Sequence, residues 1–115
     1  MADKKKILIA ESTLQGLDYK KRLPDYDIEL IQSGEMLGYR LQRGVDGLDM
    51  LVLDSNMSNG PRGSQIAREY RITHPNLPVV VTTISPEKYE PLGKIVPVYR
   101  PLEDRLIDYI KRTLG

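Results

Sequence analysis

Five short apolar runs, Ile7–Ala10, Ile28–Ile31, Met50–Leu53, Val79–Thr83 and Ile95–Tyr99, recur along the chain with longer stretches between them. Most are continuous rather than alternating, which is the pattern of strands covered on both faces, as in a parallel sheet. The stretches between them carry helical spacing. Ser12 and Thr13 are candidate caps for a first helix that turns Leu14, Leu17 and Leu23 inward and stops before Pro24. Ser33 caps a second, with Met36, Leu37, Arg40 and Leu41 in i, i+1, i+4, i+5 spacing and Gly44 as its stop. Ser64 opens a third, carrying Ile66, Ala67 and Tyr70 towards His74-Pro75. The last helix is the clearest. Pro101 stands at its start, Glu103 and Asp104 suit the positive end of its dipole, Lys111 and Arg112 the negative end, and Leu102, Leu106, Ile107, Ile110 and Leu114 make one stripe.

The segment ISPEKYEPLGKIV, between the fourth and fifth runs, breaks this rhythm. An interior proline costs a helix roughly 3 kcal/mol, so Pro91 would cut any helix begun at Pro86 after about a turn. A short turn of helix or a loop is expected there. Strand and helix otherwise alternate throughout, which specifies an open α/β sheet with helices on both faces. Right-handed crossovers then put ligand chemistry at the carboxyl ends of the strands.

At 115 residues the chain suits one domain, residues 1–115, and no repeat or interdomain linker interrupts it. The formal charge is +1 and both signs are scattered, so nothing points to nucleic acid or an anionic membrane; Lys4–Lys6 reads as a solvated lead-in. Cysteine is absent, which excludes disulfides, thiol nucleophiles and thiolate metal sites and fits the cytosol. No apolar run reaches membrane length and no secretory signal is visible, so a soluble cytoplasmic protein is expected. The aromatic side chains are seven tyrosines with no Phe or Trp, and each ring carries a hydroxyl that wants water or a partner.

Four polar groups follow the strands at the carboxyl end: Glu11 after the first, Asp54 at the end of the third, Thr83 at the end of the fourth and Arg100 at the end of the fifth. Two carboxylates there can hold a hard cation through oxygen, and Mg²⁺ would keep several waters while bridging to a phosphoryl group. A hydroxyl and a cation opposite would bind phosphoryl oxygens. Asp54 also admits a plainer reading, as a strand-end acid that caps a turn, and Glu11 one as a helix-start acid. Thr83 can be an ordinary β-branched strand residue and Arg100 an exposed structural cation.

The stretches KKILIAES, LDMLVLDSNMSNGPRG, HPNLPVVVTTIS and VPVYRPLEDRLIDYIK resemble the receiver domain of bacterial response regulators, and the resemblance runs along essentially the whole chain. It implies a flavodoxin-like, CheY-like five-stranded parallel sheet in the order 2-1-3-4-5, with a histidine kinase donating a phosphoryl group to the aspartate that ends the third strand. By this resemblance the phosphoacceptor is Asp54, the acidic pair falls on Ala10 and Glu11, the metal-binding carbonyl on Asn56, the switch hydroxyl on Thr83, and the lysine-proline on Arg100-Pro101.

Several residues depart from that pattern. Ala10 removes one acid and Glu11 is a methylene longer than the usual aspartate, so any Mg²⁺ site at Glu11, Asp54 and Asn56 should be weak. Arg100 exchanges a compact ammonium for a planar fork that could lock onto Asp54 bidentately. Pro97 stands where many receivers carry a rotating aromatic, Ser58 replaces the usual loop proline, and the interval from Thr83 to Arg100 is short. His74 lies at the other end of the sheet and is assigned no catalysis. Gly60, Pro61 and Gly63 lie in neither G-x-x-x-x-G-K-[ST] nor G-x-G-x-x-G, and they shape the descent into the third helix.

The expectation is therefore a divergent receiver-like signalling domain, a pseudo-receiver rather than an enzyme, with phosphorylation at Asp54 weakened or lost. Its partners would be a histidine kinase or a downstream effector, and a homodimer through the fifth strand and fifth helix would use Tyr89, Tyr99 and Tyr109 as anchors unless the monomer buries them. The first alternative is an ordinary phosphoaccepting receiver of a phosphorelay, using Mg²⁺. The second is a small flavodoxin-like enzyme or cofactor carrier, against which the missing phosphate loop, cysteine and crevice histidine speak.

Overall fold

The computed structural model describes residues 4–12, 16–57 and 62–115. The readings of Thr13, Leu14, Ser58, Gly60 and Pro61 fall outside the described residues.

Five parallel strands, β1 (Lys6–Ala10), β2 (Asp27–Ile31), β3 (Met50–Asp54), β4 (Val79–Thr82) and β5 (Val98–Tyr99), form one sheet in the order β2-β1-β3-β4-β5. This is the expected open α/β architecture. The three inner strands are buried almost throughout because helices cover both of their faces, and that is why their sequences run apolar without alternation. Alternate side chains feed two separate cores. Ile7, Ile9, Met50, Val52 and Val80 pack with Tyr19 of α1 (Gly16–Arg22), with Leu23 just past its end, and with Leu106, Ile107 and Ile110 of α5 (Asp104–Leu114). Leu8, Ala10, Leu51, Leu53, Val79 and Val81 pack with Leu37 of α2 (Gly34–Gln42), with Ile66 and Ala67 of α3 (Gly63–Thr73), and with Leu92 of α4 (Glu90–Gly93). Fully burying one such aliphatic side chain contributes about 1.5–3 kcal/mol, so each face is an independent source of stability.

Local signals explain the helix ends. The hydroxyl of Ser33 accepts the N–H of Met36 at 3.1 Å, and Gly44 takes φ +91° just past the end of α2, where a left-handed residue is needed. The α5 stripe is as expected, with Leu106, Ile107 and Ile110 buried.

Other expectations need correction. Leu17 is exposed, not inward; Tyr19 of α1 and Leu23 just past its end, four apart, make the buried stripe, and Leu17 lies two residues off it. Met36 is likewise exposed. Helix α3 begins at Gly63 with Arg62 as N-cap, ahead of Ser64, and no side-chain cap bond is made. Pro101 lies not at the start of α5 but in the turn before Glu103, its N-cap. Strand β5 is two residues rather than five, because the N–H groups of Ile95 and Val96 both return to the carbonyl of Leu92 and Pro97 has none to offer the sheet. The fourth helix is short, as Pro91 requires: a 3₁₀ turn over Pro86–Tyr89 runs into the four residues of α4.

Candidate functional site at the carboxyl rim of the sheet

Strand pairing decides what meets at the rim. In parallel strands, residues in register point to the same face, and neighbouring backbones lie about 4.8 Å apart. Asp54 is in register with Thr82, and Thr82 with Tyr99. One residue past the Ala10–Leu53 pair, Glu11 stands beside Asp54, and its N–H continues the ladder to the carbonyl of Ile31 at 2.9 Å. Alternation from Ile9, Val52 and Val80 turns Glu11, Asp54 and Thr82 towards the α1/α5 face. Glu11 is 3% exposed and Thr82 1%, whereas Asp54 is half-buried at the mouth.

Asp54 is held in two ways. Its Oδ1 accepts the N–H of Asn56 at 2.9 Å, so the carboxylate caps its own turn, and its Oδ2 accepts the hydroxyl of Ser12 at 3.4 Å. The helix that follows approaches closely: a Cβ on Gly63 would lie 2.1 Å from the carbonyl oxygen of Asp54. Only glycine fits where α3 begins against this strand end.

Tyr19 lies beneath the pair, fully buried. Burial chiefly, then the negative charge of Glu11 and to a smaller degree that of Asp54, push its phenol well above the ordinary tyrosine range; the amide of Leu102 opposes them. The ring therefore stays neutral beside the carboxylates.

Thr83 lies one residue beyond the row, and alternation sends its side chain towards the α2–α4 face. Its Oγ1 accepts the N–H of Ser85 at 3.2 Å, while its own N–H meets the carbonyl of Tyr99 at 3.0 Å. Thr82 is the hydroxyl in register with Asp54, and its Oγ1 is buried with no hydrogen-bond partner among the described residues. Sequence reasoning missed it because a V-V-V-T-T run has no alternation to say which threonine faces which side.

The expected ion pair of Arg100 with Asp54 is not formed: among the described residues no ion pair within 4.0 Å joins them. Arg100 is exposed, and β5 lies two strands from β3, a separation of roughly 10 Å. Its backbone N–H donates to the carboxylate of Glu103, and the N–H of Glu103 returns to its carbonyl at 3.3 Å. This four-residue turn has Pro101 second and Leu102 third at φ +60°, the pattern of a type II turn whose third position glycine usually takes.

Of the residues expected to hold a cation, Glu11 and Asp54 stand side by side at the rim, and Asn56 follows two residues on with its N–H bonded to the Asp54 carboxylate. Among the described residues no three Asp, Glu, His or Cys side chains cluster closely enough to hold a metal ion. His74 is at the far end of the sheet, stacked on Tyr70 with ring centroids 4.5 Å apart and bonded to the Thr73 hydroxyl at 2.8 Å. None of the described helices is long and apolar enough to cross a membrane.

No family model and no curated protein matches this chain. Solved structures do. A response regulator receiver protein from Sinorhizobium medicae is 24% identical with a TM-score of 0.79, over 97% of this chain and 95% of that one. A response regulator from Thermotoga maritima, solved with Mg²⁺ and BeF, is 22% identical with a TM-score of 0.76, over 96% and 99%. A chemotaxis protein from Vibrio cholerae is 20% identical with a TM-score of 0.71, over 97% and 100%. Likeness at this level establishes the fold, which is that of response regulator receiver domains: a flavodoxin-like sheet in the order 2-1-3-4-5.

Proposed function

We propose that this chain is a receiver-like signalling domain working through protein–protein contact, with phosphoryl acceptance at Asp54 weakened or lost. The observation that carries the reading is the thin electrostatic provision around Asp54. One second carboxylate, Glu11, stands in register with it, Ala10 is buried among apolar side chains, and Arg100 makes no ion pair with it. Mg²⁺ takes near-octahedral coordination but can fill it with waters, so the weakness lies in charge and reach: Ala10 supplies no acid, Glu11 is the longer carboxylate, and both Asp54 oxygens accept hydrogen bonds that a bound cation would have to share. Phosphoryl transfer relies on charge neutralisation, and losing one such contact costs on the order of 10²-fold in rate. The Thr83 side chain lies on the opposite face from Asp54, its oxygen accepting the N–H of Ser85 at 3.2 Å, so in this arrangement its hydroxyl does not face Asp54.

The partner would be another signalling protein, a kinase or an effector. A face suited to it, or to a second copy, runs along β5 and α5, where Tyr99 and Tyr109 meet at 5.7 Å and the Arg105 guanidinium lies 5.7 Å from the Tyr99 ring. All three tyrosines are half-buried, Tyr99 and Tyr109 against the α1/α5 core and Tyr89 against the α2–α4 core, so each offers only part of its ring to a partner.

A second reading, an ordinary phosphoaccepting receiver, draws on the half-buried Asp54 at the mouth with the buried Glu11 beside it. The intact mass after incubation with a small phosphodonor and Mg²⁺ separates the two. Little or no phosphoryl addition is expected; efficient addition of one group, abolished by Asp54→Asn, would overturn the first reading in favour of the second.

A further inference from the structure

Helix α1 touches both halves of the rim. Gly16, at its start, packs against Leu30 and comes within 3.9 Å of the Glu11 Cβ, measured from where its own Cβ would be. One turn on, the Tyr19 hydroxyl accepts the N–H of Leu102 at 3.3 Å. At its last residue, the Arg22 guanidinium donates to the carbonyl of Leu102 and to Oδ1 of Asp104, both at 2.8 Å. Leu102 is thus gripped through both of its backbone polar groups, and it is the one non-glycine residue at positive φ among the described residues. A leucine in the left-handed region is strained and persists only where its surroundings over-determine it. The grip, with the Leu102 side chain packed on the α1/α5 core, supplies that determination.

We propose that Tyr19 and Arg22 are positioning residues for Arg100: α1 holds the Arg100–Glu103 turn in its strained form, and so keeps Arg100 out at the rim and away from Asp54. The proposal deepens the signalling reading and rests on Asp54 being the centre of that site. It gives the turn two states. In the gripped state, Arg100 projects to solvent. Once the grip is lost, Leu102 relaxes from φ +60° and the arginine side chain can close the roughly 10 Å that separates β5 from β3. A partner that moves α1 would thereby change the charge next to Asp54 without touching it.

Two NMR measurements test this on the intact chain: amide hydrogen exchange at Leu102 and the proximity of the Arg100 side chain to Asp54, read as NOEs between the Arg100 Hδ and Hε protons and the Asp54 Hβ protons. Arg22→Ala and Tyr19→Phe should each speed Leu102 exchange at least about fivefold, the ratio one ordinary hydrogen bond sustains. Arg22→Ala should also produce Arg100–Asp54 NOEs that the wild-type chain lacks. They should vanish in Arg22→Ala/Leu102→Gly, because glycine takes positive φ without help. Unchanged Leu102 exchange in both single variants, or no Arg100–Asp54 NOE in Arg22→Ala, would overturn the proposal. Neither readout involves phosphoryl transfer, so the grip stands or falls separately from the labelling of Asp54.

Discussion

The two faces of this sheet end differently at the carboxyl rim. On the α1/α5 side the apolar core gives way to Glu11, Asp54 and Thr82, with a neutral Tyr19 below and a helix that reaches across to the next loop. On the α2–α4 side the core runs almost to the edge: Ala10, Leu53 and Val81 lead up to Ser55 and Thr83, Gly63 is pressed against the Asp54 backbone, and the fourth helix is cut to a single turn. Both faces derive from the same strands by alternation. One side is built for polar chemistry and the other for packing, although the residues concerned are adjacent in sequence.

Mutations can break this division, and the largest effects should come from the cores. Leu106 and Leu92 are each almost completely buried, one in the long α5 and one in the short α4. Leu→Ala in a core costs about 2–5 kcal/mol depending on how well the site collapses. Chemical denaturation should put Leu106→Ala in the upper half of that range and Leu92→Ala near the bottom, since a four-residue helix can settle into the cavity. Equal losses would mean that α4 is as rigid as α5.

Gly63→Ala should come next. A methyl group cannot occupy the space next to the Asp54 carbonyl, so the start of α3 or the end of β3 must move, at about 1–3 kcal/mol. The Asn56 amide resonance should shift along with it, because its partner is the Asp54 carboxylate.

The two threonines should respond with opposite signs. Thr83→Val loses a hydrogen bond to Ser85 and should cost about 1 kcal/mol. Thr82→Val replaces a buried hydroxyl that has no partner among the described residues, and should be neutral or stabilising by a few tenths of a kcal/mol. If Thr82→Val instead costs as much as Thr83→Val, the hydroxyl has a role at the rim that the register alone does not reveal.

The last effect is absent at neutral pH and emerges only in alkali. The Tyr19 phenol is raised in the folded chain, so the folded state keeps its proton where the unfolded chain, titrating near pH 10, has lost it. Stability from this source is complete below pH 10 and falls as pH rises towards the folded-state value. Relative to Tyr19→Phe, the wild-type denaturation midpoint should decline more steeply above about pH 10. Parallel curves would place the tyrosine in a wetter setting.

Much of this division is legible in the residues themselves. The apolar runs specify a parallel sheet, the Leu106-Ile107-Ile110 stripe specifies α5, Pro91 specifies a truncated fourth helix, and Asp54 stands where the third run ends. The remainder depends on contacts that local pattern cannot encode. The grip of Arg22 on Leu102 spans 80 residues, and no propensity argument places a leucine at positive φ. Arg100 looked like the partner of Asp54 because both close a strand, yet the two intervening strand spacings and the turn after β5 keep them apart. Leu17 was misread because the leucines of the first helix look like a stripe, whereas Tyr19, with a polar tip that needs a partner, is the residue the core takes in.

The most direct test of the central claim is a Mg²⁺ titration of the wild-type chain, followed through the carboxyl carbon shifts of Glu11 and Asp54. The thin donor set predicts no saturation through the low-millimolar range, with both signals moving only slightly. Saturation of both signals together in that range, at one affinity, would mean that two carboxylates and a carbonyl form a working cation site, and would contradict the account.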